Sequence, residues 1–147
     1  MVAKKNSDRK VYFNGKFVPE SEAKISIYDS ALMFGDMVFE MTRSFNKEHF
    51  KLEEHIDRLF LGLKILRINL DVSKEEFVSI CKETAKINED LFLKDDEHRL
   101  MIDVSRGLLG IYADVVGVSS GTNLIVADFP LRWTVKGMGK FFDKGIN

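Results

Sequence analysis

Two stretches with the hydrophobic period of a helix lie between stretches that alternate apolar and polar side chains as strands do. Residues 52–66 place one apolar stripe along a predicted helix, made of Leu52, Ile56, Leu59, Phe60 and Leu63. A second helix is predicted from Ser73, because Ser73-Lys74-Glu75-Glu76 has the pattern of a capping box, which binds the free N–H groups of a first turn. Residues 38–45, 98–106 and 123–128 are predicted strands. The alternation indicates an α+β domain.

The remaining segments predict turns and one long loop. Residues 11–18 form a predicted hairpin around Asn14-Gly15, a pair that accepts the positive φ angles of a type I′ turn. A short turn of helix is expected near Asp29-Ser30. Residues 107–122 are rich in Gly and Ser and have no periodicity, so they form a predicted loop, and long loops in compact domains are often functional.

Composition narrows the classes of function. The 147 residues suit one domain, and 45% hydrophobic residues with 12 Phe supply a core. A net charge of −1 gives no electrostatic basis for binding nucleic acid or a membrane surface. No apolar run approaches the roughly 20 residues of a membrane span, and the polar start lacks the apolar core of a signal peptide. We therefore expect a cytoplasmic protein with no nucleic-acid or membrane partner.

The cysteine and histidine residues suggest neither redox nor metal chemistry. Cys81, the one cysteine, falls on the apolar stripe of the second helix, so we expect a buried and unreactive thiol. His49, His55 and His98 do not have the spacing of metal ligands. No metal site is therefore expected.

Arg58 lies on the side of the first helix opposite its apolar stripe. A solvated arginine is the ordinary interpretation of that position. Leu61, Gly62 and Ile65 share this side, however, and the glycine weakens the helix by roughly 1 kcal/mol while leaving room for another surface to approach. An arginine fork suits a phosphate, because it donates two parallel charge-assisted hydrogen bonds. Both interpretations remain open from the residues alone.

Arg43 and Arg99 also have two interpretations each. On the predicted strand 38–45, Arg43 shares a face with Phe39, Met41 and Phe45, so it either pairs with Asp36 or Asp103 or lines a site. For Arg99 the residues themselves indicate a surface ion pair with Asp103 or Glu97, and a position close to a substrate is what the family resemblance described below implies. These alternatives stay open here as well.

Three segments that follow one another at short spacing resemble a known family. They are Phe34-Gly35-Asp36, Phe39-Glu40-Met41-Thr42-Arg43 and Glu54-His55-Ile56-Asp57-Arg58-Leu59. They resemble the N-terminal domain of the class IV, fold-type IV aminotransferases, which use pyridoxal 5′-phosphate. Further matches in chain order are Tyr12-Phe13-Asn14-Gly15, Val104-Ser105-Arg106-Gly107 and Ala127-Asp128-Phe129-Pro130. The resemblance implies a mostly antiparallel sheet with two principal helices, the small domain of such an enzyme.

The resemblance also implies an organisation for the chain. Residues 1–9 would be a flexible N-terminus, 10–130 the small domain, and 131–147 the start of a linker or second domain. The family's Schiff-base lysine would lie beyond Asn147, so we expect no catalytic residue in this chain and no activity from the 147 residues alone. Family members are dimers, so a homodimer is expected.

The implied function is transfer of an amino group between an amino acid, with branched-chain amino acids as the expected donors, and 2-oxoglutarate. Arg58 would bind the phosphate of pyridoxal 5′-phosphate. Phe34, Phe39, Arg43 and Arg99 would form the substrate side. Alternatives within the family are enzymes like aminodeoxychorismate lyase or D-amino acid aminotransferase. An alternative from another class is a non-catalytic dimerisation or ligand-binding module.

Some residues depart from the family pattern. Phe34 stands where branched-chain aminotransferases usually have tyrosine, and Glu97 stands where they have a tyrosine two residues before the arginine that Arg99 matches. Ile111-Tyr112-Ala113 replaces the Arg-x-His pair with which D-amino acid aminotransferases bind the substrate carboxylate. These departures affect the choice of substrate more than the fold.

Overall fold

The computed structural model describes residues 9–117 and 121–138, together with Phe141 and Gly145. Its strands are β1 (Lys10–Phe13), β2 (Lys16–Pro19), β3 (Met37–Met41), β4 (Ser44–Phe45), β5 (Glu48–His49), β6 (His98–Ser105) and β7 (Asn123–Pro130). Its α-helices are α1 (Ser30–Phe34), α2 (Leu52–Leu66), α3 (Lys74–Asn88), α4 (Gly110–Val116) and α5 (Arg132–Val135). Within this described part, no helix has the length and apolar character needed to span a bilayer.

Five strands form one antiparallel sheet in the order β2-β1-β7-β6-β3. The pairing of β6 with β7 runs the length of both strands, from His98 opposite Pro130 to Ser105 opposite Asn123. The two long helices, α2 and α3, have 15 residues each. The predicted fold class, α+β with an antiparallel sheet and two principal helices, is confirmed.

Local sequence patterns correctly predict several element ends. Asn14 and Gly15 have φ angles of 48° and 91°, which are the positive values that the predicted type I′ turn requires. Helix α2 has the predicted bounds, and α3 begins after Ser73, whose hydroxyl accepts a hydrogen bond from the backbone N–H of Glu76. These features depend on a few adjacent residues, so the sequence alone suffices to predict them.

Both long helices cover one face of the sheet, and the core lies between the layers. Its most deeply buried apolar side chains are Leu59, Phe77, Leu100, Ile102, Val104 and Val126. Cys81 is also buried here, and burial raises the pKa of its thiol to about 12, as expected for an unreactive cysteine. On the opposite face, Phe39 is 64% exposed. That face is where a ligand or another protein surface has access to the sheet.

The predicted strand over residues 38–45 is broken in two, because β3 ends at Met41 and β4 begins at Ser44. Asn46 and Lys47 both have positive φ angles, 51° and 66°, so the chain turns back sharply after β4. Strands β4 and β5 form a separate two-stranded sheet. Arg43 therefore does not continue the strand face that carries Phe39.

The predicted loop over residues 107–122 is also wrong in part, because it contains helix α4. The helix ends at Gly117, whose φ of 69° lies in the left-handed region. Tyr112 on α4 stacks on Tyr28, with ring centroids 5.6 Å apart. This long-range contact stabilises a helix that the local sequence does not predict.

Gly62 lies where α2 contacts β3. A Cβ atom at position 62 would lie 2.9 Å from Cγ1 of Val38, closer than two carbon atoms approach without strain. The space at Gly62 is therefore filled by Val38 from the same domain. The prediction that this glycine admits a second surface is wrong, although Leu61 and Ile65 on the same side are 58% and 70% exposed.

Gly62→Ala is expected to lower the free energy of unfolding by about 1 kcal/mol. Alanine is the better helix former by roughly 1 kcal/mol, but contact with the stiff side chain of Val38 costs about 1–3 kcal/mol. In a Val38→Ala background the clash is gone, so the same substitution should stabilise by about 1 kcal/mol. Urea unfolding of the four proteins measures both effects. If Gly62→Ala stabilised the protein equally with and without the Val38→Ala substitution, the contact between α2 and β3 would not resist the added methyl group.

Candidate functional site

Arg58 and Glu40 meet at the junction of α2 and β3. Arg58 Nε lies 2.5 Å from Glu40 Oε1, and Arg58 Nη2 lies 2.7 Å from Glu40 Oε2. His55, nearly one turn earlier on α2, places Nδ1 2.7 Å from the same Oε2. The side chain of Glu40 is 4% exposed, whereas that of Arg58 is 69% exposed. One buried carboxylate therefore holds two basic side chains at the surface.

The alternation of β3 explains why this carboxylate is buried. Phe39 points to the open face of the sheet, so the next residue, Glu40, points towards α2, where a carboxylate requires partners. Burial raises the pKa of Glu40, but the hydrogen bonds from Arg58 and His55, together with their charges, outweigh burial and lower the pKa below its usual value. The hydrogen bond to Glu40 in turn raises the pKa of Arg58. At neutral pH the site therefore contains an ionised carboxylate and a charged guanidinium.

Glu40 occupies only one edge of the Arg58 guanidinium. Nε and Nη2 each donate one N–H to Glu40, which leaves a second N–H on Nη2 and two on Nη1. Within residues 9–117 and 121–138, Nη1 has no hydrogen-bond partner. The contact of Nη2 with His55 Nδ1, at 3.5 Å, is at the limit of a hydrogen bond. The outer edge can therefore bind two oxygens of a phosphate or a carboxylate.

A cavity of about 330 Å³ adjoins this cluster, and His55 is one of its lining residues. Arg43 and Arg99 also line it, and none of its described lining residues is acidic. Thr42, another lining residue, is 3% exposed, and its hydroxyl oxygen lacks a hydrogen-bond partner in the described part of the chain. A buried hydroxyl without a partner costs free energy, whereas the two arginines bring positive charge to the cavity. The cavity suits a small anionic ligand.

Among the described residues, neither Arg43 nor Arg99 forms the ion pair that was one interpretation of each. The guanidinium of Arg43 stacks on Phe45, with its central carbon 3.9 Å from the ring centroid. Arg99 donates to Thr134 Oγ1 at 2.9 Å and contacts the sulfur of Met41. Both guanidinium groups are held by neutral partners, and no carboxylate in the described part of the chain pairs with either charge.

The carboxylates that were possible partners are occupied or lie elsewhere. Asp36 pairs with Arg106, at 2.5 Å from Nε and 3.2 Å from Nη2. Glu97 accepts hydrogen bonds from the backbone N–H groups of Asn46 and Lys47 and so holds the β4–β5 turn. Asp103 lines a separate cavity of about 230 Å³, and burial raises the pKa of its carboxyl. The choice between pairing and a site role could not be made from the sequence, because each pairing depends on long-range geometry.

Phe34 and Phe39 do not line the 330 Å³ cavity. Phe34 is the last residue of α1, its side chain is 63% exposed, and Gly35 ends the helix with a φ of 69°. The structure thus brings Arg43 and Arg99 together and connects them to Arg58 through His55. It places the two predicted aromatic residues outside that group, on exposed surface.

Three residues of this site were absent from the predicted site, namely Glu40, Thr42 and His55. Glu40 and Thr42 had a usable indication in the sequence, because the period of β3 places both on the side opposite Phe39. A carboxylate on a buried strand face is rare unless it is paired, and the helix that follows supplies Arg58 as a partner. His55 lies three residues before Arg58 and so faces the same carboxylate.

The order and spacing of these residues match a protein family. A family model described as amino-transferase class IV matches residues 37–137. The chain belongs to the class IV aminotransferases. This confirms the resemblance that the three motifs carry, and it places β3, α2, α3, β6 and β7 inside the matched region.

Two curated relatives of this class IV aminotransferase chain differ in activity. A putative branched-chain-amino-acid aminotransferase of Methanocaldococcus jannaschii is 42% identical over 102 residues, which cover 69% of this chain and 34% of the relative. An aminodeoxychorismate lyase of Bacillus subtilis is 34% identical over 98 residues, which cover 67% of this chain and 32% of the relative. The chain therefore spans about a third of the length of the curated relatives it matches.

A solved structure gives the same family. The branched-chain amino acid aminotransferase of Escherichia coli aligns with a TM-score of 0.69 at 26% identity. The alignment covers 84% of this chain and 41% of the solved chain. The class IV fold of this chain is thus supported by sequence and by three-dimensional similarity.

Proposed function

We propose that this chain supplies the phosphate-binding side and part of the substrate side of a pyridoxal 5′-phosphate-dependent aminotransferase. The reaction is transfer of an amino group between a branched-chain amino acid and 2-oxoglutarate. The observation that carries the proposal is the exposed Arg58, held on one edge by the buried Glu40 and free on the other. Family membership and the relatives described above support it.

The side chains present fit the cofactor's phosphate. The free edge of Arg58 can bind two phosphate oxygens, and no described side chain pairs with Nη1. Bound pyridoxal 5′-phosphate would act as the electron sink for the bonds broken at the α-carbon of the amino acid. The chain's own contribution is to bind and orient this group. The catalytic lysine expected beyond Asn147, and the inactivity of the 147 residues alone, stay predictions.

The 330 Å³ cavity is the proposed position of the substrate carboxylate. Arg43 and Arg99 would supply positive charge there. Phe34 and Phe39, both largely exposed, would contact the apolar part of an amino acid on the open side of the sheet. Apolar contacts of this kind suit a branched side chain.

The assembly and location follow from the same proposal. Tyr28 and Tyr112 stack between the α1 and α4 segments, where Leu32, Ile111 and Val115 are 64%, 69% and 81% exposed. An exposed apolar patch of this kind favours association with a second copy, so we propose a homodimer. A cytoplasmic location is proposed with it, since the substrates are soluble metabolites.

A second function has a specific observation in its favour, namely the similarity to the aminodeoxychorismate lyase. That activity would use the same phosphate site, with the substrate side adapted to a different molecule. An enzyme like D-amino acid aminotransferase remains a further alternative, although Ile111-Tyr112-Ala113 lacks the expected arginine and histidine. A non-catalytic ligand-binding module would differ from these three enzymes, because it need not prefer a ligand that carries a phosphate group.

The proposal predicts that binding depends on the phosphate group. In equilibrium dialysis, pyridoxamine 5′-phosphate should bind the chain at least about tenfold more tightly than pyridoxamine, because one charge-assisted contact contributes roughly 1.5–3 kcal/mol. Inorganic phosphate should compete. Equal affinity for the two compounds would contradict the proposed phosphate site.

A further inference from the structure

We infer that Glu40 is a positioning residue, which fixes the Arg58 guanidinium so that its free edge is ready for the phosphate. The inference rests on the proposed function, since it assumes that Arg58 binds phosphate. Glu40 would thereby contribute to phosphate binding without touching the ligand itself. Glu40 acts only through Arg58, and His55 contacts the same oxygen of Glu40, Oε2, that Arg58 Nη2 contacts.

The need for positioning comes from the exposure of Arg58. An arginine side chain that is 69% exposed ordinarily samples many rotamers, and a ligand that binds it must stop that motion. Glu40 restricts the rotamers of Arg58 before a ligand binds, because both of its oxygens contact the guanidinium and its own side chain is 4% exposed. The planar fork is therefore held in one orientation before any ligand arrives.

The geometry also decides which nitrogens are available. Glu40 takes the edge formed by Nε and Nη2, at 2.5 and 2.7 Å. The edge formed by Nη1 and the remaining N–H of Nη2 lies on the far side of the planar group from the carboxylate. A phosphate on that outer edge is as far from the negative charge of Glu40 as the guanidinium allows. His55 supports the arrangement, because its Nδ1 lies 2.7 Å from Glu40 Oε2.

Two effects of Glu40 on phosphate binding oppose each other, which makes the inference testable. As a negative charge, Glu40 repels a phosphate, so neutralising it should tighten binding if charge alone matters. As a positioning residue, it removes the cost of ordering Arg58, so neutralising it should weaken binding. We expect positioning to win, because the negative charge of Glu40 is already paired with the guanidinium of Arg58.

The test uses Glu40→Gln with pyridoxamine 5′-phosphate as the probe in equilibrium dialysis. We expect about fivefold weaker binding in the variant. Asp57→Asn is the matched control, because it removes one negative charge from the adjacent position on α2, where Asp57 is 63% exposed and pairs with Lys74. It should change the affinity less than about twofold. In an Arg58→Ala background, Glu40→Gln should have no further effect, since its target is gone.

A second measurement avoids dependence on a folded Glu40 variant. In the unsubstituted chain, NMR relaxation of the Arg58 Nε–H group should report a side chain as ordered as the backbone of α2. A mobile Arg58, or a Glu40→Gln variant that binds as tightly as the original chain, would overturn the positioning role. If Arg58→Ala binds the probe unchanged, the phosphate site itself fails, and the positioning role fails with it.

Discussion

Arg58→Ala is expected to weaken binding of pyridoxamine 5′-phosphate by roughly 30- to 150-fold, about 2–3 kcal/mol. The substitution removes the two N–H groups that face the phosphate on the free edge of the guanidinium. It also leaves the buried Glu40 with His55 as its remaining hydrogen-bond partner among the described residues, so the free energy of unfolding should fall by about 1–3 kcal/mol. Equilibrium dialysis and urea unfolding measure the two effects separately.

Two further variants make this result specific. Arg58→Lys should recover only part of the affinity, because an ammonium cannot provide a planar pair of donors and cannot hold Glu40 at two points. Lys64→Ala removes a positive charge from an exposed position on the same helix and should leave binding within about twofold. Arg58→Ala with unchanged affinity would show that Arg58 is an ordinary surface residue.

Asp29→Ala is expected to lower the free energy of unfolding by about 3 kcal/mol. The carboxylate of Asp29 is fully buried and accepts hydrogen bonds from the backbone N–H of Ala31 at 2.8 Å, the hydroxyl of Ser105 at 2.9 Å and the amide of Asn123 at 2.6 Å. Removing it leaves buried donors without an acceptor, at roughly 1–3 kcal/mol each, partly offset by the loss of a buried charge.

Urea unfolding of Asp29→Ala beside Asp71→Ala measures the effect, since Asp71 is exposed and its substitution should cost less than about 0.5 kcal/mol. Asp29 joins α1 to the ends of β6 and β7, so its loss should also displace the helix that carries Phe34. Equal effects of the two substitutions would show that this buried network does not hold α1 in place.

The sequence was sufficient where a few adjacent residues determine the structure. The Asn14-Gly15 turn, the N-terminus of α3 at Ser73 and the limits of α2 all follow from local conformational preferences and hydrophobic period. The buried position of Cys81 follows from its place on a helical stripe. Family motifs added what periodicity cannot supply, namely the chemistry expected of Arg58.

The sequence was insufficient where distant residues determine the structure. The turn between β4 and β5 is held by Glu97, which follows α3 in the sequence and accepts hydrogen bonds from the backbone of Asn46 and Lys47. Helix α4 depends on the stacking of Tyr112 with Tyr28. The space beside Gly62 is filled by Val38 rather than by a second surface. In each case the contact joins two segments that are far apart in the sequence and that come together only when the chain folds.

We expect the free edge of Arg58 to bind the phosphate of the cofactor. The most direct measurement follows the Nε–H resonance of each arginine by NMR during titration with pyridoxamine 5′-phosphate. We expect a saturable shift of the Arg58 resonance that pyridoxamine does not cause. The resonance of Arg106, which is held by Asp36 and the end of α2, should remain unshifted. Saturation of the probe without a shift of the Arg58 resonance would contradict the claim.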